Sequence, residues 1–352
     1  MEKLRVGIIF GGKSAEHEVS LRSARSVSEA IDREMYEPIH IGIDTQGNWF
    51  LREDVPREII REAPRRTLVI LQNGGGLLRV ASCQTDSAID VAFPILHGPF
   101  GEDGTMQGLL KLADIPFVGA GVLGSAVGMD KDVMKRLLRD ANIPIAKFLV
   151  AQERHIPIYQ EAKDALGLPL FVKPANMGSS VGVSKARNEK EFQNAVEGAF
   201  LYDTKVILEE FIQGRELECS VLGNNNLSAS VPGEVVPTHE FYSYKAKYLD
   251  ENGATLEIPA NISPQTTQEI QSLAIRTFQT LSCEGLGRVD FFLKDTGEIL
   301  VNEINTMPGF TSISMYPKLW EASGVPYSEL ISRLIRLARE RFEKEKLLKT
   351  LR

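Results

Sequence analysis

Short β-branched and apolar runs alternate along this chain with stretches whose apolar residues recur every three or four positions. Residues 4–10 read LRVGIIF, a run of strand length and strand composition. Two glycines follow, and then Ala24, Val27, Ala30 and Ile31 fall on one face of a helix. Strand, glycine turn and helix in this order open an α/β unit. PIHIGID (38–44) predicts a second strand, IDVAFPILHG (89–98) a buried third, and TMQGLLKLA (105–113) a helix. Between them, 52–66 is charged and weakly patterned, which predicts a surface excursion. LVILQNGGGLLRVAS (68–82) predicts a hairpin about residues 73–76.

The small-residue stretch GVLGSAVGMD (121–130) marks a change of unit, and the pattern beyond it differs. KDVMKRLLRDA (131–141) is helical, and Asn142 and Pro144 stop it. A strand at 145–150, a helix at 158–166 and the strands LPLFVKPA (168–175) and VGVSKA (181–186) follow. Asn188 caps a helix that runs to about Phe200. KVILEEFI (205–212) and RELECSVLG (215–223) predict two strands, and GNNN (223–226) a second boundary. The remainder holds a polar loop, THEFYSYKAKYLDENG (238–253), and a helix at 264–281. A hairpin then runs from LGRVDFFLK (286–294) through DTG to EILVNEINT (298–306), before a glycine-bearing loop and two helices. No internal repeat interrupts the pattern.

A chain of 352 residues can bury two or three cores. Its 43% hydrophobic and 25% charged content is that of a globular protein. The formal net charge of -7 argues against nucleic acid or an acidic membrane surface as partner. Any anionic substrate must then be met by local cations. No run approaches the roughly 18 apolar residues of a membrane span, and MEKLRVGIIFGG holds too short an apolar run for a signal peptide. Cys83, Cys219 and Cys283 are scattered, without C-x-x-C or zinc spacing, which predicts reduced thiols in a cytoplasmic protein.

Candidate chemistry is densest in GRVDFFLKDTGEILVNEINTMPGF (287–310). Alternation places Arg288 and Asp290 on one face of the first strand, and Glu303 and Asn305 on one face of the second. A turn centred near Thr296 sets Asp290 opposite Asn302 or Glu303. With Glu303 in register, two carboxylates and a carboxamide converge. These are hard oxygen donors of the kind Mg²⁺ takes, with phosphate oxygens completing its shell, and Arg288 adds a fork for an oxyanion. The alternative is a solvated polar face, and a slip of one residue would send Asp290 to the other side.

The loop KPANMGSSVGVSK (173–185) holds the second set of candidates. Lys173 ends an apolar strand, Gly178 and Gly182 let backbone N–H groups approach an anion, and Ser179 and Ser180 add hydroxyls. The loop lacks the G-K-[ST] ending of a P-loop and joins two strands rather than a strand and a helix. It reads as a flap over a nucleotide, or else as a tight hairpin turn. In ILEEFIQGRELE (207–218), backbone groups at the Gly214 break can pair with an adenine edge, and Glu209 and Glu216 are candidates for ribose hydroxyls; plain surface acids are the alternative.

In order along the chain, Lys131, Lys173, GSSVGVS, EEFIQGRELE, GRVD and NEINTMPGF resemble the ATP-grasp superfamily. GGKSAEHEVSL (11–21), HGPFGEDGTMQG (97–108), MDKDVMKRLL (129–138), FVKPANMGSSVGVSK (171–185), FYSYKAKYLD (241–250) and NTMPGFTSISMYPKLW (305–320) narrow the resemblance to the D-alanine–D-alanine ligase family. It covers essentially the whole chain; 45–88 and the C-terminal tail carry none of its motifs. The implied fold is a parallel-sheet α/β substrate-binding domain at 1–122, then the two α+β lobes of an ATP-grasp fold. The central lobe with its flap spans 123–222, and the C-terminal lobe with the metal and substrate sites spans 223–352. The implied activity joins two D-alanines, using ATP and two Mg²⁺ or Mn²⁺ ions, to the dipeptide of peptidoglycan precursors. A homodimer is the implied assembly.

The resemblance also implies roles. Asp290, Glu303 and Asn305 ligate the metals, with Glu303 bridging. Lys131 and Lys173 contact the phosphates of ATP, and Lys247 the transferred phosphate. Adenine lies against Glu209 and the backbone of Phe211 and Ile212, and Glu216 takes the ribose. Glu16 holds the ammonium of the first D-alanine, with His97 as a further candidate. Glu16, Ser179 and Tyr248 form a hydrogen-bonded set. Arg288 and the Gly309 N–H make the oxyanion site, and Ser314 and the Met315 N–H receive the second carboxylate. Tyr248, where depsipeptide-forming relatives commonly carry Phe, points to a dipeptide product. Three rival readings share parts of this pattern. A carboxylate–amine ligase with another acceptor would differ at Glu16, Lys247, Tyr248, Ser314 and Met315. A dinucleotide-binding dehydrogenase would need the G-x-G-x-x-G that GGKSAEH lacks. A non-catalytic nucleotide binder would be expected to have lost part of the Asp290, Glu303 and Asn305 set.

Overall fold

The computed structural model describes residues 2–62, 69–79, 85–86, 88–237 and 254–348. The predicted opening unit is β1 (Leu4–Gly11), α1 (His17–Ala30) and β2 (Tyr36–Ile43), and the structure adds β3 (Trp49–Arg52). The hairpin of β4 (Val69–Leu71) and β5 (Leu77–Arg79) follows, then β6 (Thr85–Asp86), β7 (Val91–Ile95) and α2 (Thr105–Leu112). β1 pairs in parallel with β2 and β7, and β3 closes one edge antiparallel to β2. The expected parallel sheet therefore carries one antiparallel edge strand. The excursion expected at 52–66 is mostly exposed where the structure describes it, but two of its side chains anchor it. Val55 and Ile60 are buried in the N-terminal core. Arg25 donates to the Pro56 carbonyl at 2.7 Å and the Ile60 N–H to His17 Nε2 at 3.2 Å, which ties the segment down over α1.

The small-residue stretch after α2 is itself helical, α3 (Val122–Met129), and runs almost directly into α4 (Lys131–Asp140). Its glycines permit close packing. A Cβ on Gly124 would lie 2.6 Å from the Ser282 carbonyl oxygen, and one on Gly128 2.9 Å from Thr306 Cγ2. The next unit comprises β8 (Phe148–Gln152), α5 (Tyr159–Leu166), β9 (Leu170–Pro174), β10 (Ser184–Ala186), α6 (Glu189–Ala199) and β11 (Lys205–Glu210). Its strands form an antiparallel sheet in the order β10-β9-β11-β8, whose apolar face packs on α5 and α6. Asn188 caps α6 as expected, its Oδ1 accepting the Glu191 N–H at 3.0 Å.

A larger antiparallel sheet uses β12 (Arg215–Gly223), β13 (Ser228–Ala229), β14 (Gly233–Pro237), β15 (Ala254–Glu257), β16 (Gly285–Leu293) and β17 (Ile299–Asn305). Its main path runs β15-β14-β12-β16-β17. One face packs on α7 (Pro264–Thr280) and also on α3 and α4, through Val127, Met134, Leu138, Ile270 and Phe278. The change of sheet thus falls at Gly214, ahead of the boundary expected near 223–226. A Cβ on Gly214 would lie 2.5 Å from the Leu293 carbonyl oxygen.

The chain ends in α8 (Met315–Ala322) and α9 (Tyr327–Lys346), which return to the N-terminal sheet. Tyr316, Trp320, Ile331, Leu334 and Ile335 share one core with Val6, Ile8, Phe10 and Phe93. Buried Arg341 donates to the carbonyls of Phe117 at 2.8 Å and Gly119 at 2.6 Å. The N-terminal domain is therefore completed by residues from the far end of the chain. Cys219 and Cys283 are buried and free, their thiols pushed up to about 12 by burial; Cys83 lies outside the described residues. Among the described residues, no helix is long and apolar enough to cross a membrane.

Candidate active site

Three adjacent strands of the C-terminal sheet carry the first wall of the site. Glu218 on β12 lies opposite Asp290 on β16, and Asp290 opposite Glu303 on β17; Ser220, Arg288 and Asn305 form the neighbouring row. Residues in register share a face, so these side chains project together. The other face of the sheet carries the apolar Leu217, Cys219, Val289, Phe291, Val301 and Ile304. Glu303 reaches the polar face because the pairing shifts between Asp290 and Phe291: Phe291 faces Val301, while Asp290 faces Glu303. Asn302 is the extra residue of a β-bulge. It resets the alternation, so that the core positions on β17 run Ile299, Val301, Ile304. The bulge decides between the two registers that a plain turn left open.

Arg288 is the hub of this wall. Its Nε and Nη2 donate to the Asp290 oxygens, each at 2.7 Å, and Nε lies 2.8 Å from Glu218 Oε2. Burial works against the guanidinium charge, but Asp290 and Glu218 outweigh it and hold the group well above its ordinary pKa. Asn305 Nδ2 donates to Asp290 Oδ2 at 2.9 Å, and Lys131 Nζ lies 3.5 Å from Glu303 Oε2. Two carboxylates and a carboxamide on one patch are the donor set of a hard divalent cation. Among the described residues, no cluster of three His, Cys, Asp or Glu closes into a cage. Oxygens of a bound ligand would have to complete such a shell, as the phosphates of a nucleotide can. Glu218 is not among the residues singled out by motif, and its alternation with Glu216 along β12 is the sequence signal for it.

The second wall belongs to the central sheet. Lys173 on β9 makes a short ion pair with Glu209 on β11, and Lys135 Nζ lies 2.6 Å from the other Glu209 oxygen. Burial alone would raise the Glu209 pKa, but the two ammonium groups outweigh it and bring the carboxyl down to about 2. Lys185 Nζ stands 4.1 Å from the centroid of the Phe211 ring, and the Phe171 and Phe211 ring centroids are 6.1 Å apart. Ile212 packs with Ala146, Leu300 and Phe292, an apolar seam between the walls. Glu216 faces the same side of β12 as Glu218, paired in register with Phe292.

The flap joins the walls to the N-terminal domain. Ser179 and Ser180 have φ of 49° and 60°, the left-handed region that side chains other than glycine rarely adopt. The Ser179 hydroxyl donates to Glu16 in a short bond, and Lys131 Nζ donates to the Met177 carbonyl at 2.8 Å. Glu16 is the N-cap residue of α1 and does not cap it through its side chain. The glycine turn after β1 aims it here: Gly11 and Gly12 have φ of 93° and 91°, and a Cβ on Gly11 would lie 2.2 Å from the Ile43 carbonyl oxygen.

The loop after β17 is fastened from several sides. His97 Nδ1 donates to the Met307 carbonyl at 2.9 Å, while Nε2 accepts from Ser23 Oγ at 3.1 Å. A carbonyl only accepts, which sets this tautomer. Both ring nitrogens are thereby engaged by the protein, in the geometry of a strut. Glu102, also not singled out by motif, accepts the Gly98 N–H at 2.7 Å and the Met307 N–H at 3.2 Å. Tyr327 OH donates to the Phe310 carbonyl at 2.6 Å. Beyond the loop, Ser314 precedes α8, and its Oγ accepts the Thr311 N–H at 3.1 Å. A Cβ on Gly309 would lie 3.2 Å from Ser314 Oγ, so the two positions adjoin. Met315 opens α8 and is buried. Lys247 and Tyr248 lie outside the described residues.

Two α+β lobes with lysines on one wall and register-paired carboxylates on the other define an ATP-grasp protein. The family comparison is narrower. Residues 5–120 match the model of the D-ala D-ala ligase N-terminus, and residues 137–336 that of the D-ala D-ala ligase C-terminus. The chain belongs to the D-alanine–D-alanine ligase family. It is 51% identical to the D-alanine–D-alanine ligase of Oceanobacillus iheyensis, over 99% of both chains. It is also 51% identical to D-alanine–D-alanine ligase A of Escherichia coli, over 99% of this chain and 100% of that one. Among solved structures, the D-alanine–D-alanine ligase of Coxiella burnetii superposes with a TM-score of 0.87 at 38% identity, covering 99% of this chain and 97% of that one. The VanG D-Ala:D-Ser ligase of Enterococcus faecalis superposes at 0.84 with 36% identity, covering 96% and 100%.

Proposed function

We propose that the protein is an ATP-dependent ligase that forms D-alanyl-D-alanine for peptidoglycan precursors through a D-alanyl phosphate, releasing ADP and phosphate. The observation that carries this reading is the register-paired Asp290 and Glu303, with Lys131 within ion-pair distance of Glu303 and bound to the flap. The first D-alanine binds with its ammonium on Glu16 and its carboxylate toward the γ-phosphate. That approach sets anion against polyanion, and each unscreened contact near 4 Å costs about 4 kcal/mol at an effective dielectric of 20. Lys131, Lys173, Lys247 and Arg288 offset the repulsion and align the transfer. Asp290, Glu303 and Asn305 would hold Mg²⁺ or Mn²⁺, and the ions would supply further neutralisation of the phosphates. Adenine rests against Glu209 and the backbone of Phe211 and Ile212, with the ribose on Glu216.

The acylphosphate is labile in water, so the site must close before it forms. Ser179, Glu16 and Tyr248 latch the flap in this reading. The second D-alanine places its carboxylate on Ser314 and the Met315 N–H at the start of α8, where the helix dipole favours an anion. Its amine attacks the acyl carbon, the oxyanion is held by Arg288 and the Gly309 N–H, and phosphate leaves. His97 borders the first substrate site and braces the oxyanion loop. We infer three units near the expected 1–122, 123–222 and 223–352 division, with α3, α4 and β12 packing in the C-terminal one. We also infer a cytoplasmic homodimer. The deciding assay is phosphate release with ATP, Mg²⁺ and D-alanine, run against L-alanine, D-serine and D-lactate. Release that needs D-alanine and yields the dipeptide supports the reading; release without any amino acid refutes it.

A further inference from the structure

Three charges lie together behind the nucleotide wall, and the ATP-binding reading uses only two of them. Glu209 is flanked by Lys173 on one oxygen and by Lys135, at 2.6 Å, on the other. The three side chains differ in access. Lys135 is 1% exposed and Glu209 2%, whereas Lys173 is 14% exposed. Lys135 follows Lys131 by one helical turn on α4, so one helix face sends Lys131 to the flap and Lys135 to Glu209. The Phe148 ring lies 5.9 Å from Lys135 Nζ.

A buried carboxylate needs a counter-charge at all times. If Lys173 were the only partner of Glu209, drawing Lys173 onto a phosphate would strand that carboxylate beside a polyanion. Lys135 is the least exposed of the three, so it would keep its pairing with Glu209 if Lys173 turned to the cleft.

We propose that Lys135 is a positioning residue for triphosphate recognition: by staying paired with Glu209, it frees Lys173 for the phosphates of the nucleotide. The proposal rests on the ATP-binding reading above, and it makes a demand that a purely structural ion pair does not. Without Lys135, Glu209 retains Lys173, so the phosphates lose a cation while the adenosine half of the site is intact.

The test uses the full chain with Lys135→Met and with Lys135→Gln, which keeps a donor toward Glu209 and covers the case in which the Met variant does not fold. Thermal unfolding without ligand reports the fold. Equilibrium titrations then compare ATP with adenosine in the absence of D-alanine. The expected result is ATP affinity lowered about tenfold or more with adenosine affinity within about twofold of wild type. The KM for D-alanine should stay unchanged. Parallel losses for ATP and adenosine overturn the proposal, because Lys135 then only shapes the wall. Unchanged ATP affinity in a folded variant overturns it too. Wild-type protein that binds neither ligand overturns the ATP reading itself, and the inference falls with it.

Discussion

The bond from Ser179 to Glu16 links the flap to the N-terminal domain, and its removal is the sharpest test of a latched site. In Ser179→Ala the backbone keeps its left-handed φ of 49° and the cost of holding a Cβ there, so the change isolates the hydroxyl. A hydrogen bond to a charged group contributes about 1.5–3 kcal/mol. At about 1.4 kcal/mol per factor of ten, its loss shifts the closed flap toward open by roughly 10- to 150-fold. Glu16, buried at 7% exposure, is left with a vacated contact, which places the effect toward the upper part of that range. An open flap admits water to the acylphosphate. The variant should therefore turn over at least about tenfold more slowly and release more than one phosphate per dipeptide. Parallel phosphate and dipeptide measurements read both quantities. Undiminished turnover, with phosphate and dipeptide still equal, would show that this contact does not hold the site closed.

Three further outcomes follow from other parts of the structure. Glu303→Gln should remove turnover and weaken Mn²⁺ binding measured by electron paramagnetic resonance in the presence of ATP, with thermal unfolding of the ligand-free protein nearly unchanged; intact Mn²⁺ affinity would exclude Glu303 as a ligand. Phe310 is fully buried against the rings of Phe93, Tyr316 and Tyr327, with centroids 5.7, 5.8 and 5.7 Å away. Phe310→Ala should lower stability by about 3–5 kcal/mol, read as an earlier urea midpoint, and a wild-type midpoint would mean that these rings do not join the two domains. In the metal-free protein, burial first and then the charges of Glu16 and Glu303 raise the Glu102 carboxyl to about 8, against its bonds from Gly98 and Met307. The folded state then keeps a proton that the unfolded chain gives up. Stability contributed at this site falls as pH rises from the ordinary 4.5 to about 8 and is level above that. Glu102→Gln should flatten that part of the stability profile, and an identical profile in the variant would refute the shift.

Much of the local structure was legible in residue order. The runs at 4–10 and 89–98, the hairpin about 73–76 and the cap at Asn188 follow from periodicity and turn chemistry that act within a few residues. The ordered motifs also carried the family, because a ligase of this kind needs cations, hard donors and a flap, and these residue types stand at readable spacings. Three features were not legible. The stretch 121–130 shows only small residues, and their reason is the close approach of Ser282 and Thr306, far away in sequence. Lys135 resembles any lysine on an amphipathic helix until Glu209 is placed against it. Nor does any local signal say that α9 closes the N-terminal core or that Arg341 binds carbonyls more than two hundred residues earlier.

The hairpin draws the line most clearly. Composition and alternation alone determined that Arg288, Asp290, Glu303 and Asn305 are carried on two neighbouring strands, and that hard oxygen donors would face a common ligand if the register allowed it. Residue order left two registers open, because a turn near Thr296 closes equally well on either. The choice belongs to the tertiary structure. Val301 and Ile304 must both join Val289 and Phe291 in the core beneath α7, and only an extra residue at Asn302 lets both point inward while Glu303 stays opposite Asp290. Local sequence sets which groups are available. Burial of apolar side chains from distant segments sets which way they point, because the free energy of that packing exceeds the preference of any single turn.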